Sequence, residues 1–262
     1  MIRPAVQKDE QELENLCRSV DSTDYVLDHL STWLQRGEIY VYETDTIIGM
    51  VRLTSLRDNT AHLGSVRVHP DHRRQGIATA LTTYCISICG SDVVRLAIMD
   101  NKPSQAVAQK IGFSPVALFT YLVKPVTDAP VVEVERGTGS VVSGLHNSSL
   151  FAQSHFLFSS SFTFYTPSPQ QVNDLLILVH DDNVAVLDFD IEEALVPAVQ
   201  IAYCDCDPEL VKAILYVAAQ KNLKELWAVV AKDTALVDLL METGFENVEW
   251  GENIQVFELE RG

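Results

Sequence analysis

Arg73, Arg74 and Gly76 fall in one short bend of the stretch VRVHPDHRRQGIATAL, from Val66 to Leu81. Two guanidiniums beside a glycine, ahead of an apolar run at helical spacing, suit one kind of chemistry: the holding of an anion. Pro70 cannot donate to a β-ladder, so the strand before it should stop there. A helix that starts just past Gly76 presents backbone N–H groups with no partner inside the helix. Its dipole adds partial positive charge at the same end, which makes a ready anion site. Gly76 lets the backbone approach a ligand with no Cβ between, and Ala78 is the next smallest residue. Arginine forks match phosphate oxygens. One pyrophosphate-bearing ligand accounts for the whole cluster.

That ligand would bind against the global field. The chain of 262 residues carries a formal charge of −17 at pH 7. Binding nucleic acid requires many phosphates to be neutralised, so nucleic acid is not expected as a partner. An anionic membrane surface is disfavoured for the same reason, and no apolar run approaches spanning length. A small cationic substrate would be attracted. No opening segment has a basic end, an apolar stretch and a cleavage site, so export is not implied. With five cysteines, an odd number, reduced thiols in a cytoplasm are expected. Cys204 and Cys206 form a C-x-C without a second cluster, so no metal site is expected. Cys85 and Cys89, at helical spacing, read as small core residues.

The elements around the bend read as an α/β chain with a mixed sheet. Helices are expected over 9–20, 25–34, 75–88 and 103–111, the second with Asp24 placed to cap it. A hairpin is expected over 38–56 around ETDT, and strands over 61–69 and 93–99. Residues 125–170 are rich in Pro, Ser, Thr and Gly, yet LFAQSHFLFSSSFTFY is too aromatic for a disordered linker. Beyond Gln170 the order returns: a hairpin in LLILVHDDNVAVLDFD, then strand, helix, strand, helix and strand. Two copies of one unit are expected, the second diverged. The expected domains are 1–125, a connector with irregular ordered segments over 126–170, and 171–262. In the second copy the strand-to-helix turn is CDCDPEL. Asp205, Asp207 and Glu209 replace the arginines and no glycine is present, so no pyrophosphate site is expected there. That half would wall the acceptor pocket, extend the sheet or form a homodimer contact.

The motif R-R-Q-G-I-A over 73–78, with Asn101, Ser104, Lys110, Gly112 and Phe113 further on, resembles the GNAT N-acetyltransferases, which bind acetyl-CoA. The resemblance covers about residues 1–125; the second half would be a degenerate unit of the same fold. It implies that main-chain groups of Val66, Arg67 and Val68 pair with the pantetheine arm. It implies that the amides of Arg74, Gln75, Gly76, Ile77, Ala78 and Thr79 cradle the pyrophosphate, with Arg73 beside them. Asn101 and Ser104 would lie near the thioester end of the arm, and Lys110 near its nucleotide or phosphate end. The stretch DYVLDHLSTWL (24–34) with a decayed second half is also similar to the histidine N-acetyltransferase-like group, which points to amino-acid-like amines.

Acetyl transfer needs a neutral amine, a route for its proton and donors for the oxyanion. The resemblance assigns the oxyanion to a main-chain N–H of the first splayed strand, here Val68. Many members place a Glu on that strand, but Gly64 stands there. His62 is the candidate base, because an imidazole titrates near neutrality, with Glu43 a distant second. The thiolate-protonating Tyr of the family is replaced by Ala108; Tyr84, Tyr121 or water could substitute. Tyr25 and Trp33 lie on the helices that border the acceptor in this fold, while Trp227 reads as packing. The expected function is acetyl-CoA-dependent N-acetylation of a small amine or amino acid. The alternatives are a CoA-binding sensor or partner module without catalysis, and a protein N-terminal or lysine acetyltransferase.

Overall fold

A computed structural model describes residues 1–232 and 234–261. The chain divides into two compact units. The first comprises residues 1–96, 102–114 and 257–262; the second comprises 97–101 and 115–256.

The first unit opens with β1 (Ile2–Pro4), α1 (Glu10–Val20), α2 (Val26–Arg36), β2 (Ile39–Glu43), β3 (Ile47–Ser55) and β4 (Ala61–Val68). It continues through α3 (Ile77–Ile88), β5 (Val93–Met99) and α4 (Lys102–Ile111). Strands β1 to β4 pair antiparallel in order, and β4 pairs parallel with β5. The helical face of α1 and α2 (Leu13, Leu16, Cys17, Val26, Leu30, Trp33, Leu34) packs with Ile39, Val41 and Met50 in one core. Each of these buried aliphatic side chains contributes about 1.5–3 kcal/mol on leaving water. Asp24, one residue ahead of the helix's N-cap Tyr25, accepts from the Val26 N–H at 3.2 Å, and Gly37 ends α2 in the left-handed conformation (φ 70°).

The second unit runs through β6 (Ser114–Pro125), β7 (Glu135–Arg136), α5 (Val142–Leu145), α6 (Ser149–Gln153), β8 (Phe158–Ser160) and β9 (Thr163–Tyr165). Then come β10 (Leu176–His180), β11 (Asn183–Asp188), β12 (Ala198–Cys204), α7 (Pro208–Gln220), β13 (Glu225–Ala231), α8 (Ala235–Glu242), β14 (Glu246–Asn247) and β15 (Ile254–Glu260). β10, β11 and β12 are antiparallel neighbours, and β12 pairs parallel with β13. This repeats the pattern of β2 to β5, with α7 standing where α3 stands. The aromatic segment within 125–170 is ordered as expected. It forms two short helices and the β8–β9 hairpin, whose Phe158 stacks on Tyr203 with ring centroids 5.5 Å apart.

The expected boundary at residue 125 is corrected by the grouping of strands. β6, expected to complete the first domain, pairs through Phe119–Pro125 with β13, and from Pro115 onward it belongs to the second unit. The last residues instead join the first unit. There Glu258 accepts from Arg95 Nε at 2.7 Å and the Arg261 N–H donates to the Asp92 carbonyl at 2.7 Å. Neither exchange is written in local propensity, because either strand satisfies either edge.

Helix α3 is seated by a missing side chain. A Cβ on Gly49 of β3 would stand 2.8 Å from Ile77 Cγ2 and 3.2 Å from Leu81 Cδ1, so the first turns of α3 lie directly on the strand. Gly49→Ala is expected to cost about 1–3 kcal/mol through overpacking, read as a lowered Tm in thermal unfolding. An unchanged Tm would show that the helix can shift freely.

Candidate functional site

The bend between β4 and α3 is built to leave amides empty. A short 3-10 turn, Pro70–His72, follows His69, whose side chain accepts from the Asp71 N–H. Arg74 and Gly76 both take left-handed backbone (φ 63° and 83°), a conformation glycine adopts without cost and arginine rarely. Gly76 is the residue before α3 and supplies no side-chain cap. The first intrahelical bond is Ala80 N–H to the Gly76 carbonyl at 2.9 Å. Among the described residues the N–H groups of Arg74 to Thr79 therefore have no hydrogen-bond partner. Arg73, Arg74 and Gln75 are exposed around them. Arg73 Nε reaches the Val68 carbonyl at 3.4 Å, and Gln75 Nε2 the Asp71 carbonyl at 3.3 Å. These unpartnered donors, two guanidiniums and the helix dipole fit a pyrophosphate.

Upstream, β4 is distorted and parts from its neighbour. Ser65 and Val66 together oppose Val51, between the pairs Arg52↔Gly64 and Met50↔Arg67. Ser65 carries the bulge in left-handed conformation (φ 52°). The parallel ladder between β4 and β5 consists of Ala61↔Val94 and His62↔Arg95 among the described residues. Past the bulge, the His69 N–H donates to the Ile48 carbonyl at 2.9 Å. Alternation along an antiparallel strand then turns the Val68 N–H to the edge away from β3. The Val66 side chain is exposed. The Arg67 side chain leaves that edge: its Nη2 donates to Asp24 Oδ1 at 2.7 Å, and its guanidinium lies 5.5 Å from the Tyr25 ring.

His62 differs from its expected role. Its ring lies along the strand over Gly64, where an added Cβ would meet the ring at 3.2 Å. Thus the position that carries a Glu in many relatives by resemblance is covered by imidazole. Nε2 is enclosed and, among the described residues, has no hydrogen-bond partner. Burial, with the charges of Arg52 and Arg95 adding, lowers the His62 pKa to about 3. At neutral pH it is an uncharged ring of low basicity, not a base poised near 7. Its neighbours are fixed: Arg52 Nη2 meets Glu38 Oε2 at 2.7 Å, and Arg95 Nη1 meets Asp58 Oδ2 at 2.6 Å. Glu43 is engaged elsewhere, its oxygens 2.7 and 3.0 Å from the Arg3 guanidinium. Hydrogen bonding to Arg3 lowers its pKa, which makes it a poorer base.

The remaining candidates divide. Tyr25 is 46% exposed, and its hydroxyl lies 3.0 Å from Ser65 Oγ at the bulge. Trp33 is corrected to a core residue: it is wholly buried, stacked on His29 at 5.4 Å with the Arg52 guanidinium 4.1 Å above its ring. Ser104 and Lys110 are exposed on the first and last turns of α4, ~9 Å apart along its axis. Asn101 ends the segment 97–101 of the second unit. Ala108 is buried, and its carbonyl receives the Gly112 and Phe113 N–H groups. Burial and Glu225 raise the Tyr121 pKa and keep its phenol protonated. Cys85 is buried with its pKa pushed up to about 12. Cys204 is buried and Cys206 exposed.

In the second unit the equivalent bend is filled by the chain itself. Asp207 caps α7, accepting from the Glu209 N–H at 2.8 Å, and its other oxygen lies 2.8 Å from His180 Nδ1. Asp205 Oδ2 accepts from the Val184 N–H at 2.8 Å. The β12–β13 ladder reaches Ile201↔Ala228. One residue on, the Val229 carbonyl receives Ser159 Oγ at 2.8 Å from the β8–β9 hairpin.

Residues 7–113 match the acetyltransferase (GNAT) family, so the N-terminal part of the chain is a GNAT domain. Mycothiol acetyltransferases of Mycobacterium avium and Mycolicibacterium paratuberculosis are each 30% identical over 97 residues, which is 37% of this chain. The match covers 31% of the length of those relatives. A GCN5-related N-acetyltransferase structure from Sphaerobacter thermophilus superposes over 99% of this chain and 95% of its own, with TM-score 0.61 and 14% identity. The glucosamine N-acetyltransferase region of a fungal β-N-acetylglucosaminidase superposes over 99% of this chain and 38% of that one, with TM-score 0.65 and 13% identity. At such identities the two structures establish the fold alone.

Gly76 separates conformation from chemistry. A Cβ there meets nothing within 4 Å, so Ala and Asp both bear only the left-handed strain of about 1–2 kcal/mol. Gly76→Asp, which adds a carboxylate at the empty amides, is expected to abolish CoA binding in calorimetry. Gly76→Ala should retain binding within about ten-fold. Equal loss in both would assign the effect to backbone strain.

Proposed function

We propose that the protein is an acetyl-CoA-dependent N-acetyltransferase acting on the primary amine of a small molecule. The observation that carries this reading is the run of unpartnered amides from Arg74 to Thr79 at the head of α3, with two exposed arginines, inside the stretch that matches the GNAT family. When bound, acetyl-CoA supplies an activated acetyl thioester. The chain holds its diphosphate at Arg73–Thr79 and aligns its arm along Val66–Val68. The Val68 N–H, on the free edge of β4, is the donor aimed at the carbonyl oxygen. Ser104 and Asn101 flank the thioester end and Lys110 the phosphate end. The amine nitrogen bonds to the acetyl carbon as the C–S bond breaks, the amine proton leaves to water, and the sulfur takes up a proton. Positioning of this kind supplies much of an enzyme's acceleration.

His62 does not enter as the base. Its low pKa supports release of the amine proton to solvent, not to imidazole. The second unit binds no CoA on this reading, since its own carboxylates and Ser159 occupy the corresponding donors and acceptors. The chain is read as cytoplasmic; no helix of the described residues is long and apolar enough to cross a membrane.

A second reading is a CoA-binding module without turnover. It is favoured by Gly64 and Ala108 standing where acid–base groups occur in relatives by resemblance. Thiol release from acetyl-CoA over an amine panel decides between the two: turnover on any amine supports the enzyme, and tight CoA binding with none supports the module.

Two pH measurements follow from His62. The rate, as kcat/KM, should show no ionisation between pH 5.5 and 7.5 (about one unit either side of a free imidazole) and should follow the acceptor amine's own titration instead. A break near 6.5 that disappears in His62→Gln would return His62 to the role of base. Stability carries the opposite signature. The folded pKa lies below the unfolded one, so the unfolded chain binds the extra proton between about pH 3 and 6.5. The contribution of a neutral His62 is therefore full above the unfolded pKa and is lost as pH falls through that window. Wild-type Tm should fall more steeply than that of His62→Gln over the same range.

A further inference from the structure

Resting on the acetyltransferase reading, we propose that the head of α2 is a latch on the bulge of β4. Asp24, through Arg67, and Tyr25, through Ser65, hold the bulge in the shape that aims the free-edge amides of β4 at the acyl group. Both are positioning residues, and they govern turnover, not cofactor affinity. On that reading Arg73–Thr79 and then Val68 back to Val66 hold the cofactor in that order, so its acyl end comes to the bulge.

The bulge needs to be held. Ser65 has φ 52°, a backbone shape that a residue other than glycine keeps only where its surroundings fix it. The ladder to β3 is weakest there, since Ser65 and Val66 together oppose one residue. Two consecutive side chains at the head of α2 supply the missing restraint. The Tyr25 hydroxyl lies 3.0 Å from Ser65 Oγ. Asp24 is buried and accepts from Arg67 Nε at 2.5 Å and from Nη2 at 2.7 Å. Arg67 Nη1 donates to the Val66 carbonyl at 3.1 Å, so one guanidinium ties the carboxylate to the main chain of the bulge. The two grips fall on residues 65 and 67, on either side of Val66 and just ahead of Val68.

The latch is itself anchored. Val26, Leu30 and Trp33 of α2 pack in one core with Ile39, Val41 and Met50. The Tyr25 ring meets Trp33 edge-on at 6.4 Å and lies 6.3 Å from His29. A forked guanidinium–carboxylate pair fixes direction as well as distance. Donors fixed before the substrate arrives are the ones that stabilise developing charge without reorganising.

The test uses the full chain as wild type, Tyr25→Phe, Ser65→Ala, the double variant of these two, and Arg67→Lys. Tyr25→Phe and Ser65→Ala should each lower kcat about ten-fold on every amine accepted, the size of one hydrogen bond. KM for the amine and CoA affinity in calorimetry should stay unchanged. The double variant should be no slower than either single one, because all three lack the same bond. Arg67→Lys keeps a charge beside Asp24 but loses the fork, and should lower kcat likewise. The His69 N–H, which bonds the Ile48 carbonyl just past the bulge, should exchange with solvent about ten-fold faster in these variants without cofactor. Additive losses in the double variant would overturn the latch, as would a raised KM in place of a lowered kcat. Exchange at the wild-type rate would overturn it too. Faster exchange in the variants of a protein that acetylates no amine would uphold the latch on the bulge and reject the transferase reading alone.

Discussion

The head of a helix holds an outside anion only if its own chain leaves the terminal amides unanswered. In the first unit that condition is met by two left-handed residues, Arg74 and Gly76, and by the lack of any capping side chain before α3. The unpaired donors are tolerated because they face solvent. Everything near them serves to fix their direction. Gly49 lets Ile77 and Leu81 sit directly on β3, and the Ser65 bulge swings the end of β4 away from a regular ladder. The bend is thus aimed by packing on one side and by strand geometry on the other.

The second unit shows the same frame with the condition reversed. Its bend contributes Asp207 and Asp205, and those carboxylates answer the amides of Glu209 and Val184. A buried or half-buried donor that is already bonded has little to offer a ligand, and a fixed negative charge repels a phosphate. The hairpin carrying Ser159 completes the closure at Val229. Two copies of one topology thus differ at this strand-to-helix junction in whether side chains of the chain itself bond the amides.

Between β3 and β5 the first unit buries charge in pairs. Arg52 is matched by Glu38, and Arg95 by Asp58 and Glu258. Such pairs gain little over apolar packing, but removing one partner leaves a costly uncompensated charge. Burial, with the charges of Arg52 and Arg95 adding, keeps the ring of His62 uncharged at neutral pH. A histidine that looks poised near neutrality in the sequence is thereby made a poor proton acceptor.

The alternation of helical and strand periods was legible in the sequence, as were the stops at Pro70 and Gly112 and the cluster around Gly76. Each is a local property: a missing donor, a permitted positive φ, a spacing of apolar residues. Val93–Met99 was read to the residue, because a continuous apolar run between turns has few alternatives. Trp33 and His62 were misread, since their burial is set by α2 lying on β3 and by the arginines of neighbouring strands. The exchange of β6 and the final strand residues was equally hidden, as sheet edges accept any strand of suitable length. Local chemistry thus determined which segments fold and where a glycine bend opens a helix head, while long-range packing alone decided which side chains meet there and in what state of charge.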